Sequence, residues 1–301
     1  MARRYTQASA FKRALEDRLK RREQETGESL ARLRQRSVFE RFLARAVAHF
    51  GARVTLKGGI ALQLRTEDAR ATQDVDLRMS GDPSRLLEEL RRAGRLVIDD
   101  DFMTFKVEPD PRHPTFEGDG VTYEGQRFRV EAALDGKIYG TRFGVDVGFG
   151  DSMAHPPEMI SGGDLFLFAG ISPIAVHVYA REVHVAEKLH ALTLPRVREN
   201  SRVKDLPDLA LLATTGPFES TALRGAIRAT FAQRGSHEIP PSIAESPVRW
   251  SAPYASMVEE NNLRWTTLDD LTAAVRAFLD PVLRGEDGTW DPPTWTWRRR
   301  E

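Results

Sequence analysis

Apolar residues recur over the first fifty positions at the spacing of helical turns. Phe11, Leu15 and Leu19 stand four apart. Val38, Phe39, Phe42, Leu43, Ala46, Val47 and Phe50 trace a second, denser stripe that Gly51 ends. Both segments predict amphipathic helices. The period then changes. Ala52 to Leu56 reads as strand, Gly58-Gly59 as a turn and Ile60 to Arg65 as a short helix; the chain returns to strand at Asp74-Val75-Asp76-Leu77. Ser84 to Ala93 is expected to be helical, with Ser84 as N-cap after Pro83 and with Leu86, Leu87 and Leu90 on one face. From residue 96 to residue 150, short apolar runs separated by Gly, Pro and Asp predict strands at 96–98, 102–107, 121–123, 126–133 and 141–147. Beyond Pro156-Pro157 and Ser161-Gly162-Gly163 the character shifts. Residues 183–193, 205–212, 221–234 and 268–283 read as helices, with Pro207 in the first turn of the second. A basic loop with Arg196, Arg198, Arg202 and Lys204 precedes that helix. The stretch from Trp290, carrying Trp295 and Trp297, is expected to be an irregular tail packed on the body.

Composition narrows the class. A chain of 301 residues has room for one large domain or two ordinary ones, and 41% hydrophobic with 29% charged residues can bury a core. There is no cysteine, which excludes a disulfide scaffold and any cysteine-ligated metal. No apolar segment follows the basic start Met1 to Gln7, and the most apolar stretch, Leu165 to Tyr179, is too short to span a bilayer and contains Ser172-Pro173. A soluble, cytoplasmic protein with no membrane partner is expected. Net charge is zero, but unevenly spread: residues 1–50 carry 13 Arg or Lys against 6 Asp or Glu, a local +7 that the rest of the chain offsets. Such a segment suits a nucleic acid or an acidic partner, and equally a solvated Arg-rich helix face.

The chemistry concentrates between Val54 and Leu77. Side chains alternate along a strand, so Asp74 and Asp76 leave one face while Val75 and Leu77 enter the core. Two carboxylates on one face are a seat for Mg²⁺, which takes hard oxygen ligands and shares them with phosphates. The unpaired N–H groups after Gly58 and Gly59 could hold a phosphate. Asp146, between Val145 and Val147, is a candidate third carboxylate for the same metal.

The order of these pieces resembles the nucleotidyltransferase fold shared with DNA polymerase beta and, more narrowly, the AbiEii/AbiGii toxin family. Four segments carry the likeness: Lys57-Gly58-Gly59-Ile60-Ala61-Leu62, Arg70 to Leu77, Glu187-Lys188-Leu189-His190-Ala191-Leu192, and Lys204-Asp205-Leu206-Pro207-Asp208-Leu209. They span about residues 54–212. Ile60 departs from the pattern, since relatives usually carry Thr or Ser there, and altered nucleotide handling is expected. The resemblance implies an α+β fold, a mixed sheet flanked by helices over 1–180 with the N-terminal helices included, then a mainly helical domain over 181–301 contributing Lys188 and Asp205. It implies that Asp74, Asp76 and Asp146 hold Mg²⁺, or Mn²⁺, and that Asp146 helps deprotonate the incoming hydroxyl. Lys57, Gly58, Gly59, Thr72 and Lys188 would bind the nucleotide. Asp205 would support Lys188 or the metal, with Asp208 the less favoured choice. The implied function is a toxin of a toxin–antitoxin system that transfers a nucleotide from an NTP to an RNA acceptor, foremost the tRNA 3′ end, and is neutralised by a cognate antitoxin encoded nearby. The alternatives are nucleotidylation of a protein or small molecule, or a non-catalytic nucleotide- or RNA-binding module.

Overall fold

A computed structural model describes residues 5–112, 114–115, 125–150, 155–195 and 202–299. The two N-terminal stripes form α1 (Ala8–Thr26) and α2 (Leu30–Phe50). Gly27, at φ 74°, ends the first, and the Ser29 hydroxyl caps the second by accepting from the Arg32 N–H. Phe11, Leu15 and Leu19 are fully buried, so α1 is a layer of the body and not a free basic arm. Much of the N-terminal positive charge is already spent. Arg34 pairs with Glu16 and Arg36 with Glu28, while Arg41 and Arg45, each 1% exposed, grip Asp101 at 2.6–2.7 Å.

The helices cover a mixed sheet. Its strands are β1 (Val54–Lys57), β2 (Asp74–Met79), β3 (Met103–Pro109), β4 (Gly125–Leu134), β5 (Lys137–Ile138), β6 (Phe143–Phe149), β7 (Glu158–Ser161) and β8 (Ala175–Val178). The order is β3-β4-β6-β2-β1-β8-β7, with β5 on β4. The β2–β6 and β1–β8 pairs are parallel and the others antiparallel. Helix α3 (Gly58–Gln63) links β1 toward β2, and α4 (Leu86–Gly94) follows β2. One apolar cluster, from Phe11 to Val178, fills the space between the sheet, α1, α2 and α4. A second gathers α5 (Arg181–Thr193), α6 (Asp205–Thr214), α7 (Ser220–Arg234), α8 (Ser251–Asn261) and α9 (Leu268–Leu283), and Leu62 and Ala69 reach into it from the sheet side.

Some local expectations fail for physical reasons. Residues 96–98 are not a strand: Val97 is 87% exposed, and the chain turns through Asp99 and Asp100 at φ 54° and 51° to deliver Asp99 and Asp101 to the α2 arginines. Ser84 is not an N-cap. Asp82 takes that role, accepting from the Ser84 N–H at 2.9 Å, and a 3-10 turn precedes α4. The tryptophan tail is a hairpin of β9 (Thr289–Asp291) and β10 (Thr296–Arg298). Each indole N–H donates to a helix carbonyl, Trp290 to Ala213, Trp295 to Ala274 and Trp297 to Phe278, so the rings bury area without an unpaired donor. The strand expected at 121–123, with Arg196 and Arg198 of the basic loop, lies outside the described residues. Among the described residues no helix is long and apolar enough to cross a membrane.

Candidate active site

Cross-strand register builds the site. Arg127 on β4 pairs with Asp146 on β6, Asp146 with Asp76 on β2, and Asp76 with Lys57 on β1. Directly paired residues project from the same face. One row across four strands therefore reads cation, carboxylate, carboxylate, cation. Asp74 lies two residues from Asp76 on that face, level with Gly144.

The glycines make room for these groups. A Cβ on Gly144 would stand 2.4 Å from Asp74 Oδ1, the atom that accepts the Gly144 N–H at 3.2 Å. A Cβ on Gly58 would come within 1.9 Å of Asp76 Oδ2, and Gly58 also has φ +66°. A Cβ on Gly59 would meet Thr72 Oγ1 at 2.7 Å. Thr72 thus places a hydroxyl against the turn that Ile60 does not supply, since Ile60 is buried in the core.

The three carboxylates differ in their partners. Arg127 grips Asp146 with both limbs of its fork, Nε to Oδ1 at 2.8 Å and Nη2 to Oδ2 at 3.0 Å. Burial holds the Asp146 carboxyl above its ordinary range; Arg127 opposes this, and the charges of Asp76 and Asp74 add to it. Asp74 receives one backbone N–H. Asp76 has no side-chain hydrogen bond or ion pair among the described residues. Two carboxylates without a bound cation suit a hard dication. Asp146 is turned to Arg127. Among the described residues no three His, Asp or Glu side chains gather as a metal-holding group.

A second, buried cluster stands behind the first. Lys188 on α5 donates to Asp205 Oδ1 at 2.9 Å and to Asp208 Oδ2 at 2.7 Å, both in the first turn of α6. Asp208 also accepts Arg70 Nε and Nη2 at 2.9 Å each. Arg202 Nη1 lies 3.4 Å from Asp205 Oδ2, an ion pair without hydrogen-bond geometry. Burial alone would lower the Lys188 ammonium, but Asp205 and Asp208 outweigh it and hold it above its ordinary value. Burial alone would raise Asp208, but Lys188 and Arg70 hold it well below the carboxylate range. Arg70 is raised; burial works against it, Asp208 leads the opposing charges, and Asp76 is among them, which ties this cluster to the carboxylate row.

Sequence reasoning quoted Arg70 without giving it a role, ranked Asp208 below Asp205 and passed over Arg127. It also passed over His184, one helical turn before Lys188. That imidazole is 2% exposed, and neither ring nitrogen has a partner. Burial, with Lys188 beside it, holds it down to about 3, so it stays neutral at physiological pH.

A mixed sheet with Asp-x-Asp after a Gly-Gly turn and a third acid on the adjacent parallel strand is the arrangement that the resemblance to nucleotidyltransferases implies. The profile of the family described as nucleotidyl transferase AbiEii toxin, type IV toxin–antitoxin system, matches residues 41–298. The chain belongs to this family, and so is a nucleotidyltransferase toxin of a type IV toxin–antitoxin system. Among solved structures it is similar to MenT4, a nucleotidyltransferase toxin from Mycobacterium tuberculosis, at 17% identity and TM-score 0.58 over 93% of this chain and 92% of that one. JHP933 from Helicobacter pylori matches at 14% identity and TM-score 0.45 over 83% and 91%. No curated protein matches the chain by sequence.

Proposed function

We propose that the chain transfers a nucleotide from an NTP to an RNA acceptor, the 3′ end of tRNA, in a reaction that depends on Mg²⁺. One observation carries this reading: Asp74 and Asp76 share one strand face, with no side-chain ion pair among the described residues, beside a turn whose glycines keep space open for carboxylate and hydroxyl groups. Asp74 and Asp76 would hold the ion. The Gly58-Gly59 turn, Thr72 and Lys57 would receive the phosphates. Lys188 has two of its N–H groups committed to Asp205 and Asp208 and would offer the third. When bound, Mg²⁺ supplies charge neutralisation at the phosphates that the carboxylate row cannot. In the transfer, the acceptor hydroxyl oxygen bonds to the α-phosphorus, the bond to the β-phosphate bridging oxygen breaks, pyrophosphate leaves and the hydroxyl proton departs toward the carboxylate row.

The outer face of α1 favours RNA as acceptor. Arg13, Arg18, Lys20, Arg21 and Arg22 are exposed there. A row of cations suits a phosphate backbone, whereas a small-molecule acceptor does not require one. The family also implies a cognate antitoxin, which we place in a neighbouring gene and in the cytoplasm with the toxin. Incubation with labelled NTPs, Mg²⁺, total tRNA and cell lysate tests the reading. Label on tRNA is the expected result. Label on protein or a small molecule would move the acceptor, and label that forms equally in EDTA would remove the metal.

A further inference from the structure

Among the described residues, Asp146 is the carboxylate of the row that is held in an ion pair. Arg127 stands directly across the β4–β6 ladder from it, and the fork engages both oxygens at 2.8 and 3.0 Å. The two side chains are 34% and 20% exposed, so the pair is partly shielded from water. A bidentate guanidinium engages one lone pair on each carboxylate oxygen and offsets the charge that would otherwise draw a metal to Asp146. The remaining members of the group, Asp74 and Asp76, have no side-chain ion pair among the described residues, with Lys57 across the ladder from Asp76. With Arg127 and Lys57 counted, the three acids and two cations of this face hold a net charge of −1, so a dication arriving with a polyphosphate meets a face of the favourable sign.

Position supports the same division. Asp110, Asp74 and Asp146 all act on Arg127, so its guanidinium sits in the field of the whole acidic face and not of Asp146 alone. It is planar, always charged and matched to phosphate geometry, which an ammonium is not. A fixed positive charge of this kind, aimed at developing phosphate charge, does electrostatically what a second metal ion does.

We propose, resting on the Mg²⁺-dependent reading above, that this site takes a single divalent cation on Asp74 and Asp76, and that Arg127, anchored by Asp146, provides the second positive charge for the phosphates. Asp146 is then a positioning residue for Arg127 and not a metal ligand.

Electron paramagnetic resonance of Mn²⁺ tests this on the full chain with a non-hydrolysable NTP analogue. Two Mn²⁺ ions about 3.5–4 Å apart are spin-coupled and lose the six-line spectrum of an isolated ion. The wild type is expected to bind one uncoupled Mn²⁺. Asp146→Asn should keep that one ion, Asp76→Asn should weaken it by at least about tenfold, and Arg127→Lys should keep the count at one. Arg127→Gln frees Asp146 and should bring in a second, coupled ion. Thermal melts of each variant confirm folding. A coupled pair in the wild type, loss of the ion in Asp146→Asn, or an unchanged count in Arg127→Gln would each overturn the proposal while leaving Mg²⁺ dependence intact. No bound ion in the wild type would overturn both.

Discussion

Asp208→Asn perturbs the buried cluster at its hub. Asp208 is fully buried, and its two oxygens accept three charged donors, two from Arg70 at 2.9 Å and one from Lys188 at 2.7 Å. Asparagine keeps the shape but loses the charge. Its amide also turns an NH2 toward a guanidinium or an ammonium, neither of which can accept. Neutralising one member of a buried ion pair costs roughly 3–5 kcal/mol. The lower end applies here, because Lys188 keeps Asp205 at 2.9 Å and the Arg70 side chain is 13% exposed. We expect a loss of about 3 kcal/mol, a large share of the roughly 5–15 kcal/mol that holds a native protein together. Urea denaturation with linear extrapolation measures it.

The same residue fixes a pH signature. Its folded carboxyl lies below the ordinary value of 3.8, so its contribution is present above that value and is lost as pH falls toward the folded one. The wild type should therefore lose stability on acidification below about pH 4, and Asp208→Asn should lack that component. Adding Lys188→Met should shrink the Asn penalty by at least about 1 kcal/mol, because one fewer cation then faces position 208. A single-variant loss under about 1 kcal/mol, or two effects that simply add, would show that Asp208 does not hold Arg70 and Lys188 together.

Glu40 is raised by burial from 4.5 to about 7, so ionising it disfavours the folded state; wild-type stability should fall by roughly 3 kcal/mol as pH rises across that window, and Glu40→Gln should flatten the slope. Asp76→Asn should abolish nucleotide transfer with little change in melting temperature, since no side chain pairs with Asp76; retained turnover in Mg²⁺ would reject it as a ligand. Gly58→Ala should lose both activity and stability, because its Cβ would lie 1.9 Å from Asp76 Oδ2 at a φ of +66°; a normal melt and normal turnover would contradict this. Neutralising Arg18, Arg21 and Arg22 together should reduce the salt dependence of tRNA binding by about two to three units of log–log slope, measured by filter binding, while Arg34 and Arg36, paired with Glu16 and Glu28, should matter less.

What the sequence disclosed was local. The α2 stripe, the common face of Asp74 and Asp76 and the Pro207 helix start each follow from a fixed period over a few residues. What it withheld was register. Nothing along residues 125–134 distinguishes Arg127 from Arg129, yet one meets Asp146 and the other Asp110, because pairing with β6 on one side of β4 and with β3 on the other decides the level at which each stands. Asp205 and Asp208, three apart on one helix turn, both suit a lysine, and both bind it. Strands of three residues, as in the tryptophan hairpin, are too short to display alternation.

The charges divide the face into two halves of opposite character. Around Lys188 the acids and bases pair with one another, with Asp205 Oδ2 lacking a hydrogen bond among the described residues. Around Asp76 the acids share one face, and the charges of Asp76 and Asp74 add to the burial that raises Asp146, a cost that Arg127 only opposes. Binding free energy is available where a ligand relieves such a cost, and on the proposed reading a dication carrying a polyphosphate would relieve it at Asp74 and Asp76. The satisfied half gains nothing from that ligand directly. Arg70 stands between the two halves, paired with both oxygens of Asp208 and lying in the field of Asp76.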